Sequence, residues 1–181
     1  MNPAHIASLV ALAWFGCVVQ LTFAHGASPA PSAAGGAEDR SVSQKAPADD
    51  QESILAVLRG VEAAFSDADL SRWLSFFHST YMIMAPEGVI APSSDNEALT
   101  LLRPQMETLR ARGYARSELN RATVKVLSAA TALASVEWVR RKANNEELER
   151  LGGTYAFFKS KDGWKIVMVT VHPSTTVVEL K

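Results

Sequence analysis

The last third of this chain constrains its fold more than any other part. Four strand-like runs follow one another there: Glu118–Leu127, Thr131–Lys142, Leu151–Ser160 and Trp164–His172. Short breaks part them at Ser128-Ala129-Ala130, Asn144-Asn145 and Lys161-Asp162-Gly163. Asn and Gly tolerate the positive φ that tight hairpins need, so the runs read as an antiparallel meander. Helical spacing occupies the residues before it. Helices first and strands after describe an α+β domain, with strands long enough to curl around the helices and enclose a pocket.

Asp49 or Asp50 is placed to cap a first helix, and Glu52 follows Asp49 at capping-box spacing. Ile54, Leu58, Val61 and Phe65 then fall on one stripe. Ser66-Asp67-Ala68-Asp69 breaks this helix and caps a second, whose buried face is expected to be Leu70, Trp73, Leu74 and Phe77. Thr80–Ala85 reads as a short strand turned by Pro86-Glu87-Gly88. A third helix is expected over Asp95–Arg112, with Leu99, Leu102, Met106 and Leu109 on one side. Pro104 lies inside it and should kink or divide it, because proline removes a helical hydrogen bond. Gly113 ends it. Gly152-Gly153 predicts a bulge in the third long strand.

The chain is 181 residues long and 48% apolar, enough for one domain with a sizeable core. Its net charge of −1 argues against a nucleic-acid surface. Ile6 to Phe23 carries no charge, and the first acidic or basic side chain is Glu38. Residues 1–26 therefore read as a secretory signal, with an uncleaved membrane anchor as the alternative. Residues 27–48, rich in Ala, Pro and Ser, read as a flexible tether that buries too little surface to order itself. The folded domain is expected over 49–181, in a periplasmic or secreted location, touching a membrane only through an uncleaved leader. Cys17 is the sole cysteine, so the domain holds no disulfide of its own.

Ala63-Ala64-Phe65-Ser66-Asp67-Ala68-Asp69-Leu70, Phe76-Phe77, the Pro86-Glu87-Gly88 turn and the closing Gly153-Thr154-Tyr155 with Asp162-Gly163-Trp164-Lys165-Ile166 resemble the nuclear transport factor 2-like superfamily. Its SnoaL-like and ketosteroid-isomerase-like branches are the most similar. The resemblance implies a cone: three N-terminal helices packed on a strongly curved, mainly antiparallel sheet, an apolar pocket inside, and often a homodimer. It does not imply a reaction, because this fold hosts isomerases, cyclases, dehydratases and non-catalytic domains. The steroid isomerase's general base falls at Ala85 and its oxyanion-hole tyrosine at Val61. Neither residue can move a proton or donate a hydrogen bond, which argues against that chemistry.

His172 ends the last strand on the face of Thr170 and Met168, and would be a base near neutral pH if that face points inward. Tyr81 and Tyr155 could offer hydroxyls, although satisfied core tyrosines are commoner. His78, at a helix-to-strand junction, reads as solvated or capping. Glu137 and Trp138 must face opposite ways, and Trp138 is the expected inward member. Trp73, Phe77, Trp138, Met168 and Thr170 are the expected pocket lining. Arg140-Arg141-Lys142 with Glu146, Glu147, Glu149 and Arg150 reads as a solvated hairpin tip. Two domain histidines with no close carboxylate or thiol spacing predict no metal site, and no motif predicts a cofactor. The expected function is binding of a small, largely apolar molecule. The alternatives are an isomerase, cyclase or dehydratase using His172, and a homodimeric interaction module.

Overall fold

The computed structural model describes residues 47–86 and 88–180, so the expected leader and most of the expected tether lie outside the described residues. Two helices come first, α1 (Pro47–Ser66) and α2 (Leu70–Leu74), and a third, α3 (Asp95–Ala111), follows the first two strands. Six strands complete the domain: β1 (Phe77–Ala85), β2 (Gly88–Ile90), β3 (Tyr114–Val126), β4 (Thr131–Lys142), β5 (Glu147–Ser160) and β6 (Gly163–Pro173). They form one sheet in the order β2-β1-β6-β5-β4-β3, antiparallel except where β1 runs parallel to β6. The sheet is curved and unclosed, and the helices pack on its inner face.

The helices form where the apolar spacing placed them. Ile54, Leu58, Val61 and Ala64 are buried along α1. The Asp69 carboxylate accepts the Arg72 N–H at 2.9 Å and caps α2, after a turn in which Ala68 takes φ 55°. Ser94 caps α3 through the Glu97 N–H, while the Glu97 carboxylate reaches back to the Ser93 N–H and hydroxyl. Ala98, Leu102, Met106 and Leu109 are the buried positions of α3. Pro104 does not divide this helix, which runs unbroken from Asp95 to Ala111. Proline sits there on an exposed face, where the carbonyl it leaves unpaired meets water.

Asp50 is not a helix cap, because α1 has already begun at Pro47. Its buried carboxylate accepts from Lys159 Nζ at 2.7 Å and from Trp164 Nε1 at 3.1 Å, tying α1 to β5 and β6. Phe77 does not extend α2; it is the first residue of β1, because the second helix stops after Leu74.

Gly152 and Gly153 pair in regular register with Glu137 and Val136, so no bulge lies there. They make room instead. A Cβ on Gly153 would meet the Tyr155 ring at 2.7 Å, and one on Gly152 would meet the His172 ring at 2.3 Å. The register irregularities fall elsewhere: twice between β3 and β4, at Arg140/Arg141, in the β1–β6 pairing between Phe77 and Met82, and between Ala156 and Phe157. In the last, Phe157 faces Ile166 while Ala156 faces Met168, so Val167 is one residue extra. A single inserted residue reverses the facing of everything beyond it.

Candidate functional site

The inner face of the sheet and the three helices line a cavity of about 150 Å³ that opens to solvent on one side. Val61, Glu62 and Phe65 reach it from α1, Trp73 from α2, and Leu102 and Gln105 from α3. The sheet contributes Ile83, Ser117, Trp138, Arg140, Leu151, Tyr155, Val169 and Val171. Register accounts for this set: Leu151 faces Trp138, Val169 faces both Ile83 and Tyr155, and Val171 faces Gly153. The aromatic rings pack on one another. Trp73 lies 6.1 Å from Phe65 between centroids, and Phe65 lies 5.8 Å from Tyr114.

Trp138 and Tyr155 form the polar pair of the cavity wall. Trp138 Nε1 donates to Tyr155 Oη at 3.0 Å, and Tyr155 is buried. Burial pushes the Tyr155 phenol up to about 12, against the opposing pull of the Trp138 N–H and Arg140, so it is a neutral hydroxyl across the physiological range. Ser117 is occupied: its hydroxyl bonds Tyr114 Oη at 2.8 Å.

The charges around the cavity are nearly all paired, with Glu149 and Glu118 each holding two arginines. Arg140 gives Nη1 to Glu149 Oε1 at 2.5 Å, and Arg112 takes the other oxygen of the same carboxylate. The Arg140 guanidinium also lies 5.4 Å from the Phe65 ring centroid. Arg59 pairs with Glu52, and Glu118 with both Arg116 and Arg141. Glu62 differs, having no salt bridge among the described residues. Burial holds its carboxyl above the ordinary carboxylate range; the Leu119 N–H opposes this, Glu118 adds to it, and Arg59 opposes it.

That shift has a sign in stability. A carboxyl raised in the folded state stabilises least once pH has risen through its folded pKa, because the folded chain then holds a poorly solvated charge that the unfolded chain keeps in water. Glu62→Gln is therefore expected to melt above the parent at pH 7. The two should converge below about pH 4, where the unfolded carboxyl is protonated too. Melting curves across that range check this, and an equal gap at both ends would refute the desolvation of Glu62.

His172, Thr170 and Met168 do share a face, but it is the outer one. Because Val167 is extra, Val169 and Val171 turn inward in their place. His172 hydrogen-bonds Thr154 Oγ1 at 3.1 Å through Nε2, while Nδ1 lies 3.0 Å from the Pro173 carbonyl oxygen and 3.2 Å from Thr176 Oγ1. These contacts fasten the turn that leads into the C-terminal tail. Phe77 is buried behind Trp73, with ring centroids 4.4 Å apart, and does not line the cavity. Tyr81 is buried next to it, its hydroxyl without a hydrogen-bond partner among the described residues, and also outside the lining. Burial, with Asp95, raises its phenol to about 12. His78 accepts the Thr80 N–H and meets the edge of Phe158.

Trp73, Trp138 and Tyr155 are thus the sequence-nominated residues that reach the cavity. Glu137 lies on the opposite face from Trp138, bonded to Arg150 and Asn120. Sequence reasoning missed Glu62 and Arg140. Glu62 follows the buried Val61 on α1, and one residue's rotation is enough to bring it to the cavity edge. Arg140 was assigned to a solvated tip; it is instead half-buried, because β4 carries its inward alternation from Trp138 one step further before the irregularity at Arg141.

A family model described as "NTF2-like protein (DUF6841)" matches residues 51–174. No curated protein matches the chain. Among solved structures, it is similar to an NTF2-like protein with a cystatin-like fold from Novosphingobium aromaticivorans, at 16% identity and TM-score 0.63, over 78% of this chain and 94% of that one. An NTF2-like protein of Streptomyces avermitilis, provisionally named a dehydratase, matches at 16% identity and TM-score 0.57, over 71% and 98%. An NTF2-like superfamily protein of Salmonella enterica serovar Typhimurium matches at 16% identity and TM-score 0.54, over 75% and 99%. Identities this low speak for the fold alone.

Proposed function

The chain belongs to the NTF2-like family so described, and on that premise we propose that it binds a small, largely apolar molecule in the cavity between its helices and the inner sheet face. The supporting observation is the lining itself: aliphatic and aromatic side chains from seven elements converge on about 150 Å³, with few polar groups among them. A cavity of about this size accepts a single benzene-like ring.

Binding without turnover is the reading favoured over catalysis. The turnover alternative rested on His172 as a base, and His172 hydrogen-bonds on the outer face, away from the cavity. The provisional dehydratase of Streptomyces avermitilis lends this chain a fold rather than a set of catalytic residues.

Benzyl alcohol tests the reading, because it carries one ring and no charge. Titrated into isotopically labelled protein, it is expected to shift the Trp138 indole N–H resonance, with a Kd of the order of 1 mM for so few atoms. The Trp164 indole, bonded to Asp50 and absent from the cavity lining, serves as the internal control and should stay in place. If the Trp138 resonance does not move, or moves only together with Trp164, the reading fails.

A further inference from the structure

We propose that the cavity is specific for a ligand bearing a positively charged amine on its ring or alicyclic body, held by Glu62 as its counter-ion; this rests on the binding reading above. The selectivity comes from salt-bridge pairing around a single apolar space. Arg140 is the cavity's cation, but it is already paired with Glu149, a carboxylate whose second oxygen is held by Arg112. An arriving carboxylate would have to compete with that bridge. The charged groups facing Glu62 from its own helix and from the sheet are engaged as well: Arg59 by Glu52, and Glu118 by Arg116 and Arg141.

Glu62 alone among the charged cavity residues lacks a counter-ion among the described residues. A carboxylate brought to the edge of an apolar space without a cation is unfavourable, and a ligand cation relieves that penalty. The neighbouring surfaces suit the same charge. Trp73 and Trp138 line the cavity beside Phe65, whose ring already carries the Arg140 guanidinium, and aromatic faces attract an ammonium while repelling an anion. Tyr155 adds a neutral hydroxyl rather than a second charge. The site therefore offers one carboxylate without a salt bridge among the described residues, aromatic walls and room for one ring. A small aromatic or alicyclic amine fits that description, whereas a fatty acid or a neutral hydrocarbon leaves Glu62 unpaired.

The experiment compares three probes of one shape: benzylammonium, benzyl alcohol and benzoate, titrated into the folded chain and followed by the Trp138 indole resonance. The expected order is benzylammonium, then benzyl alcohol, then benzoate, with about tenfold between the first two, as a charge-assisted hydrogen bond supplies. Glu62→Gln keeps the shape and an acceptor for the Leu119 N–H, and is expected to bring the ratio of benzylammonium to benzyl alcohol affinity from about tenfold to about one. Benzylammonium stays protonated across the acidic and neutral range, so its affinity should fall as pH drops through the titration of Glu62. Equal binding of all three probes, tightest binding of benzoate, or an unaltered preference in Glu62→Gln overturns the proposal while the binding reading stands. Failure of every probe to shift Trp138 overturns both.

Discussion

Trp73→Ala is expected to lower folding stability by about 3–5 kcal/mol, the usual cost of deleting a large buried aromatic ring. Trp73 is 8% exposed, sits on a helix of five residues, and packs against Phe65 and Phe77. A helix that short has almost no stability of its own, so its place depends on what Trp73, Leu70 and Leu74 bury. The truncation should do more than destabilise. Trp73 is also a wall of the cavity, so its removal enlarges that space and shifts preference towards bulkier ligands. Denaturant unfolding gives the first effect, and probe titration with a two-ring compound gives the second. A stability loss near zero would mean that α2 does not hold its ring in the core.

Asp50→Ala is expected to cost about 2–4 kcal/mol, for a different reason. The carboxylate is buried and bonds both Lys159 and Trp164, so its loss leaves an ammonium and an indole N–H facing a space without an acceptor. The loss stays below the full cost of breaking a buried pair because the Lys159 side chain is 30% exposed and its amine can swing into water. Asp50→Asn keeps an acceptor for Trp164 and should lose less. Thermal and denaturant unfolding of the two variants settle the order. Equal loss in both would show that the charge, rather than the hydrogen bond to Trp164, holds α1 against the last two strands.

The two residues illustrate how far residue patterns reach. Trp73 was legible because burial repeats with the helical period, and Leu70, Trp73 and Leu74 form one apolar face. Asp50 was misassigned because an acidic residue near a helix start is normally a cap. The partner that claims it, Lys159, is more than a hundred residues away and has no local signature. Trp138 was readable by strand alternation from its neighbour Glu137. His172 was not, because alternation along β6 is interrupted at Val167, and an extra residue in the middle of a valine-rich run leaves no mark in the sequence. Gly152 and Gly153 were noticed for the right chemistry and given the wrong consequence. Their missing side chains admit the rings of His172 and Tyr155 instead of bending the strand.

Local physics decided the element order, the turns at Ala68, Asn145 and Gly163, and the apolar stripes of α1 and α3. These follow from backbone sterics and from periods of 3.6 and 2 residues, each contained within a few neighbouring positions. Tertiary structure alone decided which sheet face looks inward, that Arg140 pairs with Glu149, and that Glu62 stands at the cavity without a salt bridge among the described residues. Facing depends on one bulge against a neighbouring strand, and charge matching depends on groups brought together from distant segments. Neither quantity exists until the chain has folded.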